Sequence, residues 1–297
     1  MRLIHNIVRY TYPFYWTFKA IGENLGVINK NHLRVLIYHD IPESEESAFR
    51  QQLEVLAKRW NIISPEIFEA MVTGDELVVG RNLLISFDDG LYSNRTVAEN
   101  VLQPMGIQAI FFVISDFVGI IDPEESKRYI SDHLIPGSSP ENIPSEWRNM
   151  QWKDLEYLVQ HGHTIGCHTR THRRLSDCHD DSVLRDELVH SADVIARRLS
   201  VSVKHFAFTF GDINSLSQES LGIAMQRYEY IHSGIRGDNK SDVSPFAIRR
   251  DAAAYQLPNN DYRLFDNRLI GAFLEGFIDF RYKAAGRLLD SWLKRKV

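Results

Sequence analysis

Residues 82–90 read Asn82-Leu83-Leu84-Ile85-Ser86-Phe87-Asp88-Asp89-Gly90. The run Leu83-Leu84-Ile85 is apolar without alternation, as in a strand covered on both faces of a parallel sheet. Two carboxylates stand at its end, and Gly90 lets the chain turn sharply there. Adjacent acids repel each other unless a cation lies between them or one keeps its proton. Further along, Cys167-His168-Thr169-Arg170-Thr171-His172 closes a second strand-like run. One Asp with two His is a ligand set that suits zinc and leaves a coordination position for water. The pairing points to hydrolytic chemistry.

Working outward, strands are predicted over 33–39, 62–63, 108–114, 163–167, 205–208, 230–233 and 246–249. Helical spacing is predicted over 49–60, 65–73, 97–105, 152–161, 183–199, 217–227 and 264–294. The alternation implies an α/β fold with a parallel sheet or barrel. Ligands in such folds gather at the carboxyl ends of strands. Asp88, Asp89, His168, His39, Thr209-Phe210-Gly211-Asp212 and Arg249-Arg250-Asp251 all fall at such ends. Residues 120–148, rich in Pro, Ser, Glu and Asp, read as an inserted loop, either a lid over the site or a mobile surface excursion.

The chain has 297 residues, 44% of them hydrophobic, enough for a full core. A formal net charge of −5 argues against a nucleic-acid partner. Two cysteines, Cys167 and Cys178, form no disulfide framework and fit a reducing compartment. No secretory signal or membrane-spanning stretch is evident, so the expected location is cytoplasmic, with the inner membrane face as a refinement. That refinement rests on Tyr10, Tyr12, Phe14, Tyr15, Trp16 and Phe18, which crowd one segment flanked by Arg2, Arg9 and Lys19. Aromatic residues with basic flanks suit peripheral membrane contact. The other reading is a helix packed across the bottom of a barrel or against a partner subunit. The chain divides into an aromatic N-terminal segment (1–30), a central domain (31–260) and a helical C-terminal extension (261–297). The oligomeric state is left open.

Ile85-Ser86-Phe87-Asp88-Asp89-Gly90 resembles the Thr-Phe-Asp-Asp-Gly signature of the polysaccharide deacetylase family of metal-dependent carbohydrate esterases. Tyr92-Ser93-Asn94 and Ala109-Ile110-Phe111-Phe112-Val113 continue the likeness. His168-Thr169-Arg170-Thr171-His172 matches that family's His-[Ser/Thr]-x-x-His motif, with Leu175 following. Phe206-Ala207-Phe208-Thr209-Phe210-Gly211-Asp212 is similar to its third motif. The resemblance spans about residues 33 to 255. It implies a distorted (β/α) barrel of about seven parallel strands and removal of N-acetyl groups from an amino-sugar polysaccharide or its lipid-linked precursor. It further implies Asp89, His168 and His172 as ligands of a divalent metal, zinc first, with Asp88 as general base and Phe210, Gly211 and Asp212 toward the substrate. The chain departs from the pattern in having Thr209 where the family has Pro, no Arg in that stretch and no late Leu-x-His motif. His39 and Arg250 are the candidates for the missing roles, and a structural role for His39 stands beside the catalytic one. The competing readings are a glycan-binding barrel without turnover and an esterase acting on O-acetyl groups.

Overall fold

A computed structural model of the chain describes residues 2–240, 243–253, 255–256 and 264–294. Eight parallel strands form one curled sheet: β1 (His32–Tyr38), β2 (Asn61–Ile62), β3 (Arg81–Phe87), β4 (Ile110–Val113), β5 (Thr164–Cys167), β6 (His205–Ala207), β7 (Tyr230–His232) and β8 (Asp251–Ala252). The order is β7-β6-β5-β4-β3-β1-β8. β2 pairs with the first half of β3, at Asn82 and Leu83, and β4 with its last two residues, Ser86 and Phe87. Ile248 bridges to His232 while β8 pairs with β1, so residues 248–252 link the two ends of the sheet and complete a distorted barrel. An antiparallel pair, β9 (Tyr255–Gln256) and β10 (Leu264–Phe265), lies outside the sheet.

Helices α1 (Arg2–Asn24), α2 (Glu46–Ala57), α3 (Pro65–Thr73), α4 (Tyr92–Val97), α5 (Pro123–Tyr129), α6 (Trp152–Gln160), α7 (Asp181–Arg185), α8 (Ser191–Leu199), α9 (Gln218–Arg227), α10 (Asn267–Leu274) and α11 (Lys283–Lys294) accompany the strands. The helix predicted from 97 begins at Tyr92, runs on through a π-turn at Ala98–Leu102 and stops at Gly106, whose φ is +69°. Another π-turn, Asp186–His190, joins α7 to α8.

Strand periodicity decides what faces the barrel interior. Leu33 and Val35 of β1, Leu84 of β3, Ile110 and Phe112 of β4, and Ala207 form the inner apolar cluster. Leu36, Tyr38, Ile85, Phe87, Phe111 and Val113 join the larger core that contains helix residues such as Phe49 and Leu53. Continuing the inner register two residues at a time takes Leu84 through Ser86 to Asp88, and Gly166 to His168. Gly166 admits no side chain, because a Cβ there would stand 2.5 Å from the Phe112 ring.

The sequence-based expectations need correction at three places. Residues 246–249 are not a regular strand. Ser244 caps a 3₁₀ turn at Pro245–Ala247, and sheet pairing resumes at Ile248 and β8. The 120–148 insert carries regular structure: Asp122 caps α5, Pro123 sits at its first position, and Ile130–Leu134 continues it as a π-turn. Ile130 and Ile143 of the insert pack with Leu91, Ile114 and Phe117 in a satellite core. Leu264 and Phe265, expected in a terminal helix, form β10. The expected boundary at 260/261 lies outside the described residues.

His163, just before β5, is buried. Its Nδ1 accepts the Ala109 N–H, while Nε2 has no partner. Burial, with nearby His161 adding to it, pushes its pKa down to about 4. A histidine near 6.5 when unfolded and near 4 when folded favours unfolding once protons are available. Its contribution is therefore complete above pH 6.5 and is lost progressively as pH falls toward 4, by roughly 3 kcal/mol at the lower end. Denaturant titrations at several pH values should show this slope, and His163→Asn should flatten it. An unchanged slope in the variant would assign acid sensitivity to other groups.

Candidate active site

The carboxyl ends of β1, β3 and β5, together with the segments after β6, β7 and Ile248, enclose a cavity of about 260 Å³. His39, Asp88, Asp89, His168, His172, Phe210, Gly211 and Arg250 line it. Thr209, Arg249 and Asp251, also expected at strand ends, bond instead to the Arg173 carbonyl, to Asp290, and to Arg34 and Arg236, respectively. Of the residues expected in catalysis, metal binding or substrate binding, Asp212 stands outside. It caps the turn at Ile213–Ser215 and pairs with Arg174 at 3.3 Å.

The adjacent carboxylates point to different partners. Asp88 Oδ1 accepts a 2.8 Å bond from Arg250 Nη1, both side chains being buried. Arg250 is itself fixed by donation from Nε to the Ser233 carbonyl at 3.0 Å and lies over the Phe112 ring. Burial pushes the Asp88 carboxyl up, but Arg250, His168 and His39 together outweigh it and hold the group below the usual carboxylate range. Asp89 turns away because its backbone is left-handed, with φ +75°, and Gly90 follows at +82°. Its Oδ1 stands 3.6 Å from His168 Nε2 and 3.5 Å from His172 Nε2.

Both imidazoles are oriented from behind. His168 Nδ1 donates to the Ala207 carbonyl at 2.8 Å, and His172 Nδ1 donates to the His133 carbonyl at 2.8 Å. Each Nε2 thus keeps its lone pair toward Asp89, the arrangement that a metal-ligating histidine needs. Burial dominates at His168 and lowers its pKa to about 4, which keeps the ring neutral. Three donors around one tetrahedral zinc lie about 3.4 Å apart, given bonds of about 2.0–2.1 Å. The observed spacings match that edge length and exceed hydrogen-bond distance, so the donor set fits a divalent metal.

A second group of potential ligands, Glu23, His32 and Glu275, gathers at the other end of the barrel. Lys19 already stands among them, 2.6 Å from Glu275 and 3.1 Å from His32, and Arg81 pairs with both glutamates. These cations neutralise the cluster, and it reads as a structural lock.

Glu187, His133 and Leu134 contribute without having carried a motif in the sequence. The π-turn residue Glu187 is buried and accepts the N–H groups of Arg170 and Thr171, at 3.0 and 2.9 Å, and the Thr171 hydroxyl at 2.5 Å. It thereby holds the loop between the two histidines. Leu134 lines the cavity and His133 orients His172, so the insert forms part of the wall. Phe210, 45% exposed, lies beside the His172 ring at 4.9 Å with Arg174 over its own ring. Gly211 is required where two loops cross, since a Cβ there would meet the Gly234 nitrogen at 2.5 Å. Among the described residues, five other than glycine have positive φ. Asp89, Thr169, His172 and Phe210 belong to this site, and Ser200 ends a helix. Such backbones cost on the order of 1–3 kcal/mol each and persist where the surroundings impose them.

The fold has solved counterparts. IcaB from Ammonifex degensii matches with a TM-score of 0.62 at 18% identity, over 83% of this chain and 98% of that one. The Streptococcus pyogenes deacetylase PplD, solved in complex with acetate, matches at 0.61 and 18%, over 83% and 99%. The BpsB deacetylase domain from Bordetella bronchiseptica matches at 0.56 and 18%, over 75% and 96%. At these identities the likeness establishes the fold alone. No curated protein sequence matches the chain. The family profile described as Polysaccharide deacetylase matches residues 78–225. That segment holds Asp88, Asp89, His168, His172 and Phe210, while His39 and Arg250 lie beyond it. Both signature motifs lie inside the matched segment, and the chain belongs to the polysaccharide deacetylase family.

Proposed function

We propose that the cavity is the catalytic centre of a metal-dependent N-deacetylase acting on an amino-sugar-containing polysaccharide. The observation that carries this reading is the division of labour between the two carboxylates. Asp89 shares a focus with two outward-facing imidazole nitrogens, and Asp88 is tied to a buried guanidinium instead. Asp89, His168 and His172 would hold the metal, with zinc first because two imidazoles and a carboxylate suit it. When bound, such an ion supplies water of lowered pKa and positive charge near a developing oxyanion.

The remaining steps fall to the chain's own residues. Asp88 is ionised and takes the proton of the attacking water. Water oxygen bonds to the acetamide carbon, the C–N bond breaks, and the leaving nitrogen takes a proton. His39, which follows β1 and is exposed at the cavity mouth, would donate it. The products are acetate and a free amine. Phe210 offers an aromatic face to a sugar ring at the rim.

Arg250→Met should lower kcat about 10- to 100-fold, the range seen when a partner that orients a working group is lost. KM should change little. Because burial of Asp88 persists without the guanidinium, its carboxyl is pushed up and the acid limb of the pH–rate profile moves to higher pH. A proportional fall at every pH would make Arg250 a packing residue only.

The deciding assay is release of acetate, with matching appearance of free amine, from N-acetylated amino-sugar oligomers in the presence of zinc. Acetate release from O-acetylated oligosaccharides alone would replace the reading with a carbohydrate O-esterase. Binding of the oligomers without release would replace it with a glycan-binding barrel.

A further inference from the structure

Helix α1 presents two different faces. Val8, Tyr12 and Lys19 are buried, Tyr15 packs edge-on against Phe277 at 4.7 Å, and Arg59 lies over the Trp16 ring. Lys19 and Glu23 reach His32 at the start of β1 and Arg81 at the start of β3, so α1 lies under the amino ends of the strands. The opposite face carries Tyr10 (73% exposed), Phe14 (72%), Phe18 (73%), Ile21 (52%) and Leu25 (73%), and Val27 and Ile28 follow. At about 100° per residue these five side chains fall within an arc of about 80°. Every exposed residue from Tyr10 to Asn29 is uncharged. Lys19, expected from sequence as part of a basic flank, is turned inward, and the side chains of Arg2 and Arg9 lie outside the described part of the structure.

We infer that this stripe seats the protein on a lipid bilayer, lying in the interface plane with the barrel standing on it. Isolated apolar side chains on a surface need no explanation, but a contiguous uncharged aromatic stripe marks a contact surface. Interfacial binding scales with buried apolar area and needs no shape-matched partner. Pairing with a second copy is the poorer match. A stripe about 24 Å long and about 10 Å wide buries on the order of 500 Å² between two chains, against about 1,200 Å² for small stable interfaces. No described helix is long and apolar enough to cross a membrane.

The placement of α1 gives the seated protein an orientation. Its stripe is at the amino ends of the strands, and the cavity is at their carboxyl ends. β1, with seven residues, separates the two by about 20 Å. The cavity mouth faces away from the bilayer and takes sugar units well out along a polymer, not the first unit attached to a lipid carrier. This choice of substrate rests on the catalytic reading of the cavity, whereas vesicle binding does not.

The test is flotation of the full chain with phosphatidylcholine vesicles, with and without anionic phosphatidylglycerol, at low and high salt. The wild type should float with both, with little salt dependence, because the stripe is uncharged. The triple variant Phe14→Gln/Phe18→Gln/Ile21→Gln should lose at least tenfold in bound fraction with melting temperature and turnover of soluble oligomers unchanged. A polarity-sensitive dye on Phe14→Cys should shift to the blue with vesicles, and one on Asn214→Cys, at the mouth end, should not. Wild type that stays in solution, or floats only with anionic lipid at low salt, overturns the proposal. A wild-type dimer split by the triple variant reassigns the stripe to self-association. A shift at both dye positions removes the orientation.

Discussion

His168→Ala, purified beside the wild type, is expected to carry no stoichiometric divalent metal, whereas the wild type takes up about one ion per chain after incubation with zinc. Three protein donors leave little redundancy, and each imidazole is pre-aimed by a carbonyl behind it, Ala207 for His168 and His133 for His172. Removing one ligand deletes a donor from an already open site. Turnover should fall at least about 10³-fold, since water activation and charge stabilisation are lost together. Elemental analysis reads the result without knowledge of the substrate. His168 is buried beneath the cavity, so a folding defect could mimic the loss. His172→Ala, at the cavity wall, provides a second route to the same outcome, and melting curves of both variants separate unfolding from demetallation. Full metal content in both variants, or none in the wild type, would remove the Asp89/His168/His172 centre from the account.

Asp88→Asn should show the complementary pattern: metal retained and turnover reduced by about 10²–10⁴-fold, the usual contribution of a positioned general base. The amide keeps an oxygen for Arg250, so the guanidinium is not left without a partner. Its charge is nevertheless no longer matched, and burying an uncompensated cation is destabilising. A lower melting temperature should therefore accompany the kinetic loss. Paired metal analysis and kcat measurements on one preparation distinguish this variant from His168→Ala. Wild-type turnover in Asp88→Asn would transfer the base role to another group, His39 being next in reach of the cavity.

Legibility from sequence followed the reach of local patterns. The run into Asp88-Asp89-Gly90 announced a covered strand with chemistry at its end, and the two-residue register carried Leu84 and Asp88 to the same face. Likewise Gly166 and His168 share a face for a reason visible in a strand's pleat. Contributions made through backbone atoms or distant loops left no such trace. The His133 carbonyl behind His172 and Glu187 beneath the histidine loop depend on tertiary proximity. The insert looked irregular because Pro, Ser and acidic residues dominate it, yet Asp122-Pro123 is a helix start and Ile130 anchors a small core. At 246–249 the run Phe246-Ala247-Ile248 suggested a strand, but Ser244-Pro245 has the capping chemistry of a turn. Asp212 fell in a strand-end motif, yet its side chain caps the next turn outside the cavity.

The left-handed residues around the cavity bear on how the protein would respond to selection in the laboratory. Glycine adopts φ near +60° without the penalty that Thr169, His172 and Phe210 carry. Libraries selected only for heat resistance should accordingly enrich glycine at 210, where the side chain is half-exposed and glycine relieves the backbone. Position 169 should keep its threonine, because the buried hydroxyl accepts the His172 N–H. The glycine clones would lose the aromatic rim of the cavity. Thermal tolerance and turnover are set against each other at position 210, so screens for a hardier catalyst should leave it fixed and seek gains elsewhere.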